Sequence, residues 1–237
     1  MLKNLNLFRN RIWIVLIGLI FNLNSVIAQY ESEFEKLTIK DGLSNNDVWD
    51  VKQDEYGFLW IATKDGLNIY DGYDFRIFKN IQGDSTSLPS NDCNAVLEDT
   101  NKDIWIGTKV GLARYDRSIE TFKNFQFSEN NTELSNSVWR IFEDSKQNLW
   151  IETNEGVLQF DRSKKEFVRF DVMRKDNTVA YFANNVSSIF ETSKGDLYVG
   201  SVSYGLVKFD YSSQIFIQQK VKNTSTIFKA NQIYDLN

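Results

Sequence analysis

Thirty-two acidic side chains, 27 Lys and Arg, and no histidine define the chemistry open to this chain of 237 residues. Without histidine it holds no Ser-His-Asp triad, no His-ligated metal or haem, and no phospho-accepting histidine. The lone cysteine, Cys93, allows neither an internal disulfide nor a cysteine-cluster metal site; it reads as a small buried hydrophobe. Asp99-x-Asn101-x-Asp103 has the spacing that opens a calcium loop. However, no glycine stands at the sixth position, and Val110 replaces the twelfth-position glutamate. Carboxylate pairs can hydrolyse glycosides, but the aspartates here recur at turns, and no acid stands out as a singleton beside a partner. No catalytic residue, metal or cofactor is assigned. The residues better suited to binding are Trp49, Asp50, Trp139 and Arg140, with Lys64 and Asp65 in second rank. Aromatic faces stack on sugar C–H surfaces, and Arg forks onto carboxylate or sulfate.

The elements that must position them are strands. Aromatics make up 14% of the chain, which leans towards β-structure. A hydrophobic share of 42% and a charged share of 25% describe an ordinary globular chain. Net charge is -5; residues 1–28 hold Lys3, Arg9, Arg11 and no acid, so the remainder carries -8. Such an acidic body is poorly suited to nucleic acid. The first segment reads as a secretory signal peptide: a basic start, the apolar run Ile12 to Phe21, and Val26 and Ala28 before a cleavage site. That apolar run falls short of the roughly 20 residues that span a bilayer. Residues 29–237 form the exported body.

That body is one unit repeated. FLWIATKDGLNIYD ends at Asp71, DIWIGTKVGLARYD at Asp116, NLWIETNEGVLQFD at Asp161 and DLYVGSVSYGLVKFD at Asp210. The aromatic anchor falls at Trp60, Trp105, Trp150 and Tyr198, and the glycine at Gly66, Gly111, Gly156 and Gly205. Asn46, Asn91, Asn136, Asn184 and Asn231 align, as do Asp54, Asp99 and Asp144, with Thr192 in the fourth copy. Each copy reads as four short strands, a to d, with a turn at Asp54–Gly57 and a hairpin at Gly66. Four-stranded units of about 45 residues predict an all-β chain and a β-propeller. Stacking then buries the anchors between neighbouring sheets. The blades are expected at 46–80, 91–127, 136–172 and 184–220. Residues 34–40 match a spare strand d, and 231–237 a spare strand a. Four complete blades with two orphan strands imply part of a larger ring, expected to be seven-bladed; a self-closing four-blade ring is the alternative.

The core WIGTKVGLARYD at Trp105 to Asp116, with KDGLSNNDVWDVKQDEYGFLWIATKDGLNIYDG at 40–72, resembles the two-component regulator propeller repeat. Four core copies and a partial fifth carry the resemblance over essentially the whole mature chain. It implies the periplasmic sensor region of a hybrid two-component histidine kinase, followed in that family by a β-sandwich, a membrane helix and the kinase. Many members respond to oligosaccharides released from glycans and control transcription. The resemblance thus implies an oligosaccharide ligand, partner domains of the same receptor, a homodimer, and a membrane connection only through a downstream helix. Two other classes stand beside it: an interaction scaffold without a small-molecule ligand, and, ranked last, an exported glycan-active enzyme.

Function in a repeat protein is expected where copies differ, because the scaffold is common to all. After the aligned position of strand a come Trp49-Asp50, Asn94-Ala95, Trp139-Arg140, Ser187-Ser188 and Tyr234-Asp235. Strand a lies nearest the axis, so Trp49, Trp139 and Arg140 are placed at one mouth of the central channel. The bland alternative is packing between blades. The b–c turns, Lys64-Asp65, Lys109-Val110, Asn154-Glu155 and Ser203-Tyr204, also differ and belong to the same face. The recurrent tryptophans are read as inter-blade core, and the recurrent asparagines as turns into strand a.

Overall fold

The computed structural model describes residues 36–127, 136–154, 156–182 and 186–219. The expected signal peptide, residues 34–35, the second orphan strand and the aligned Asn184 and Asn231 lie outside them. The elements below all belong to the unit that begins at Leu37. Among the described residues there are eighteen strands and no helix. The first sheet is β1 (Val48–Gln53), β2 (Leu59–Thr63), β3 (Gly66–Tyr70) and β4 (Phe75–Phe78). The second is β5 (Cys93–Glu98), β6 (Ile104–Thr108), β7 (Gly111–Asp116) and β8 (Thr121–Phe125). The third is β9 (Val138–Glu143), β10 (Leu149–Thr153), β11 (Gly156–Asp161) and β12 (Glu166–Arg169). Each is an antiparallel meander, and the three inner strands β1, β5 and β9 are neighbours in that order. The arrangement is an unclosed propeller.

The fourth sheet departs from the repeat. It contains β15 (Val186–Glu191), β16 (Leu197–Ser201), β17 (Gly205–Asp210) and β18 (Ile215–Gln218) in blade order. A further hairpin, β13 (Asp171–Met173) and β14 (Val179–Tyr181), adds to its outer edge, and β13 runs parallel to β18. The repeat alone extends the third blade to residue 172; its last strand ends at Arg169, and Asp171 and Val172 belong to the fourth sheet. The apolar register explains the move. Val172 and Phe182 are buried with Phe170, Phe209 and Phe216 in the core between blades three and four. The expected strand at 34–40 is not present in its described part: residues 36–40 run as coil and turn, with Asp41 N–H donating to Thr38 O.

The cores lie between blades. Trp60, Trp105 and Trp150 are buried, and each meets an aromatic of the next blade's third strand nearly edge-on: Tyr115 at 5.0 Å, Phe160 at 5.2 Å and Phe209 at 4.8 Å between centroids. Tyr198 is only partly buried. The hairpin glycines are required: Gly111 has φ 142°, and a Cβ there would lie 2.6 Å from Phe125 O.

A buried carboxylate ties each pair of blades. Asp54, Asp99 and Asp144 accept the indole N–H of Trp60, Trp105 and Trp150 at 2.9, 2.8 and 2.8 Å. Each also accepts from the next blade: Arg117 to Asp54 at 2.9 Å, Arg162 to Asp99 at 2.9 Å, and Tyr211 Oη to Asp144 at 2.8 Å. A second carboxylate reaches back from the end of the next inner strand. Glu98, Glu143 and Glu191 accept the N–H of Glu55, Thr100 and Ser145. Burial alone would raise the Asp54 carboxyl, but the bonds from Trp60, Arg117 and Phe58 N–H hold it below its ordinary range. Removing one partner leaves a buried charge uncompensated. Arg162→Ala is therefore expected to cost on the order of 3 kcal/mol, read as a lower midpoint in denaturant unfolding; a midpoint equal to that of the parent chain would refute the latch.

Candidate functional site

Every inner strand carries the same irregularity. Val48 pairs with Thr63 and Asp50 with Ala62, so Trp49 is an extra residue in the ladder. The same slip leaves Asn94, Trp139 and Ser187 as the extra residues of the other three blades. A bulge of this kind re-aims a side chain away from the ladder. Trp49, Asn94 and Trp139, from three blades, line one cavity of about 230 Å³ together with Asp92, Lys109 and Ser137. Trp49 is 57% and Trp139 45% exposed. Trp139 Nε1 donates to Asn154 Oδ1 at 2.6 Å, which fixes the ring against its own b–c turn. Asp92 Oδ1 and Ser137 Oγ are sheltered and have no hydrogen-bond partner among the described residues. The cavity thus offers two aromatic faces.

The d–a loops and b–c turns meet on this face. Lys64 N–H donates to Asp47 O, and Lys109 N–H to Asp92 O. The recurrent asparagine ties the loop backwards as well as opening the strand: Asn46, Asn91 and Asn136 accept the N–H of Ile39, Asn80 and Phe127. Of the second-rank pair, Asp65 is engaged in this scaffold, accepting Lys79 Nζ at 2.6 Å and Asn91 Nδ2 at 3.1 Å. The Lys64 side chain is exposed and outside the cavity, which its counterpart Lys109 lines instead. Asp50 works within the scaffold, where its Oδ2 accepts Val96 N–H of the neighbouring inner strand at 2.9 Å. Asp99, in the calcium-like spacing, is occupied by Asn101 N–H, Asp103 N–H, Trp105 and Arg162. Cys93 is buried, and burial pushes its thiol far above the ordinary range.

Arg140 leads to a residue that the sequence reading passed over. Its Nε lies 3.9 Å from Glu152 Oε2. Glu152 is only 6% exposed, and burial pushes its carboxyl up to about 7 against a small lowering from Arg140. The signal was present in the repeat: strand b reads LWIAT, IWIGT, LWIET and LYVGS, and only the third copy has a charged residue before the final hydroxyl. It is a singleton acid beside a partner, contrary to the reading from the recurrent aspartates alone.

A larger groove of about 330 Å³ lies on the opposite face, between blades one and two. Its cations are already committed, Arg117 to Asp54 and Arg76 to Glu120. It is part of the scaffold, whereas the mouth cavity is built from the positions that vary.

Residues 42–65 and 87–109 match the model of the two-component regulator propeller family. A stretch of 55 residues is 49% identical to Histidine kinase P4 of Formosa agariphila, covering 23% of this chain and 4% of that one. Among solved structures, the extracellular domain of a hybrid two-component system from B. thetaiotaomicron is 26% identical, with a TM-score of 0.55. The match covers 77% of this chain and 31% of that one. Virginiamycin B lyase from Staphylococcus aureus, at 13% identity and TM-score 0.52, covers 77% and 59% and shares the fold alone. The chain spans less than two thirds of each of these relatives. Two stretches of the chain thus match the two-component regulator propeller repeat, and the likeness to the extracellular domain shows the propeller fold.

Glu152 makes stability depend on pH. Its folded value of about 7 lies above the ordinary 4.5, so the folded state binds a proton that the unfolded state has released between those values. Its contribution is fully present below about 4.5 and is lost as pH rises through about 7. The separation corresponds to about 3 kcal/mol at most. Unfolding of the chain by denaturant is expected to show a higher midpoint at about pH 6 than at about pH 8. Glu152→Gln should remove most of that difference; an unchanged pH dependence in the variant would place its origin elsewhere.

Proposed function

We propose that this chain is the extracytoplasmic ligand-sensing propeller of a hybrid two-component histidine kinase, and that it recognises glycan-derived oligosaccharides at the mouth cavity. One observation carries the reading: the positions that differ between copies converge, through a shared bulge, on a single cavity with two half-exposed tryptophans. Tryptophan faces suit the C–H surfaces of sugar rings. Residues 1–28 read as the export signal, so the body acts outside the cytoplasm. The kinase, the membrane helix and the homodimer belong to the receptor of which this propeller is the sensor. Binding transmits a signal only through a difference in affinity between two receptor states.

An interaction scaffold is the second reading, favoured by one feature. The first blade exposes Val48, Val51 and Ile77, whereas Val96, the counterpart of Val51, is buried against its neighbour. That surface fits protein contact and explains no sugar binding. Titration with a panel of neutral and anionic oligosaccharides separates the two readings. Saturable binding without turnover is expected, and Trp139→Ala should weaken it at least tenfold by removing one aromatic wall. Absence of binding across the panel would favour the scaffold, and turnover would favour an enzyme.

A further inference from the structure

The groove between blades one and two takes its cations from the scaffold, but part of its wall departs from the repeat. Phe58 and Ile69 stand where every other copy sets a polar pair. Those pairs are Asp103 with Arg114 at 3.2 Å, Asn148 Oδ1 accepting Gln159 Nε2 at 2.7 Å, and Asp196 with Lys208 at 2.8 Å. In two of them the cation also lies over the aromatic anchor of its own blade. Arg114 Cζ is 6.0 Å from the Trp105 ring centroid, and Lys208 Nζ is 5.8 Å from that of Tyr198. The first copy keeps the anchor, Trp60, but its strand c offers Ile69 in place of a cation. Its c–d turn is also shorter. Four residues join Tyr70 to its partner Phe75, where six join Tyr115 to Phe122, Phe160 to Phe167 and Phe209 to Phe216. The groove of about 330 Å³ lies beside this shortened turn, with Phe58, Asp71 and Asp74 exposed along it.

Its charges are unevenly committed. Arg117 lies 2.9 Å from Asp54 and 3.5 Å from Glu98, and Arg76 lies 2.6 Å from Glu120 and 3.1 Å from Tyr115 Oη. Neither guanidinium is left for an anion. The acids of the turn are different. The N–H groups of Asp74 and Tyr73 both donate to Asp71 Oδ1 at 2.8 Å and hold that carboxyl below its ordinary range, so it is charged at neutral pH. The exposed Asp74 carboxylate has no hydrogen bond or ion pair among the described residues. Surplus carboxylates beside an apolar wall complement a cation with an apolar body, and the acidic chain as a whole draws cations towards it. We propose that this groove binds a small organic cation, an amine or guanidinium on an apolar body, with the charge at Asp71 and Asp74 and the body against Phe58 and Ile69. Such a ligand supplies from outside what Arg114 and Lys208 supply within their own blades. The volume is that of a small-molecule site. The site lies on the face opposite the mouth cavity and does not depend on what that cavity takes.

The full chain is titrated by ligand-observed NMR with phenethylamine and agmatine, and with 2-phenylethanol and 3-phenylpropionate as neutral and anionic counterparts. Both cations are expected to bind saturably, 2-phenylethanol about tenfold more weakly, and 3-phenylpropionate not at all. Asp74→Asn, an exposed change that breaks no bond of the scaffold, should weaken the cations about threefold. Phe58→Asp combined with Ile69→Arg rebuilds the pair of the second copy and should abolish binding, with circular dichroism matching the parent chain. No saturable binding of either cation, equal binding of phenethylamine and 2-phenylethanol, or undiminished binding by the double variant would each overturn the site. A capped peptide with a central arginine that bound more tightly than both free cations would overturn the small-molecule assignment and make the groove a contact for a partner chain. If the double variant does not fold, Asp74→Asn decides, and an unchanged affinity there overturns the proposal.

Discussion

A carboxylate that is removed from water must collect its hydrogen bonds within the protein, and in this chain that demand holds the blades together. Asp54, Asp99 and Asp144 each sit at an a–b turn. Each accepts backbone N–H groups of its own turn, the indole N–H of its own blade, and a donor from the blade that follows. The bond from the following blade fixes the stacking of one sheet on the next, because it forms only when both turns are in place. The tryptophan is held at the same time, so its ring presents an edge to the next blade's aromatic. The fourth copy shows the dependence from the other side: Thr192 replaces the aspartate, and Tyr198, without an indole, replaces the tryptophan. The donor changes with less consequence, since Tyr211 serves in the place of Arg117 and Arg162. Its hydroxyl is pushed upward by burial and by Asp144, so it stays protonated and able to donate.

A scaffold fixed at the a–b and c–d turns leaves the opposite face free to vary. There the extra residue of each inner strand leaves the ladder; Trp49 and Trp139 stay half exposed, whereas the buried Asn94 donates to Val138 O across the seam. Trp49, Asn94 and Trp139 differ in chemistry, indole against amide, yet they arrive at one cavity because the same slip of register delivers them. This division separates the positions that keep the propeller folded from those free to vary, and it explains why the larger groove among the committed cations is the poorer candidate.

The repeat made most of this legible in the sequence. Strand order, hairpin glycines and buried tryptophans follow from a unit of about 45 residues whose apolar positions can be covered only by stacking. The same alignment singled out Trp49 and Trp139, which line one cavity. Three features did not. The donors Arg117, Arg162 and Tyr211 each follow an aligned aspartate, but their acceptors lie 63, 63 and 67 residues earlier, and no periodicity reports a bond between copies. The β13–β14 hairpin occupies a stretch that matches no copy, and it is held by apolar contacts with the fourth sheet, which local pattern does not reveal. Glu152 was visible as the odd residue of strand b, but its burial depends on a neighbouring blade. Asp50 erred in the other direction: a charged residue at a variable position, it is used between blades.

The central claim is that the variable bulge tryptophans meet the ligand while the recurrent tryptophans only hold the blades. Incorporation of 5-fluorotryptophan gives each indole its own fluorine resonance, assigned by single Trp→Phe replacements. On titration with a binding oligosaccharide, the resonances of Trp49 and Trp139 are predicted to move together and saturate, while those of Trp60, Trp105 and Trp150 stay in place. Saturable binding that leaves Trp49 and Trp139 unmoved, or that shifts the buried three instead, would contradict the account.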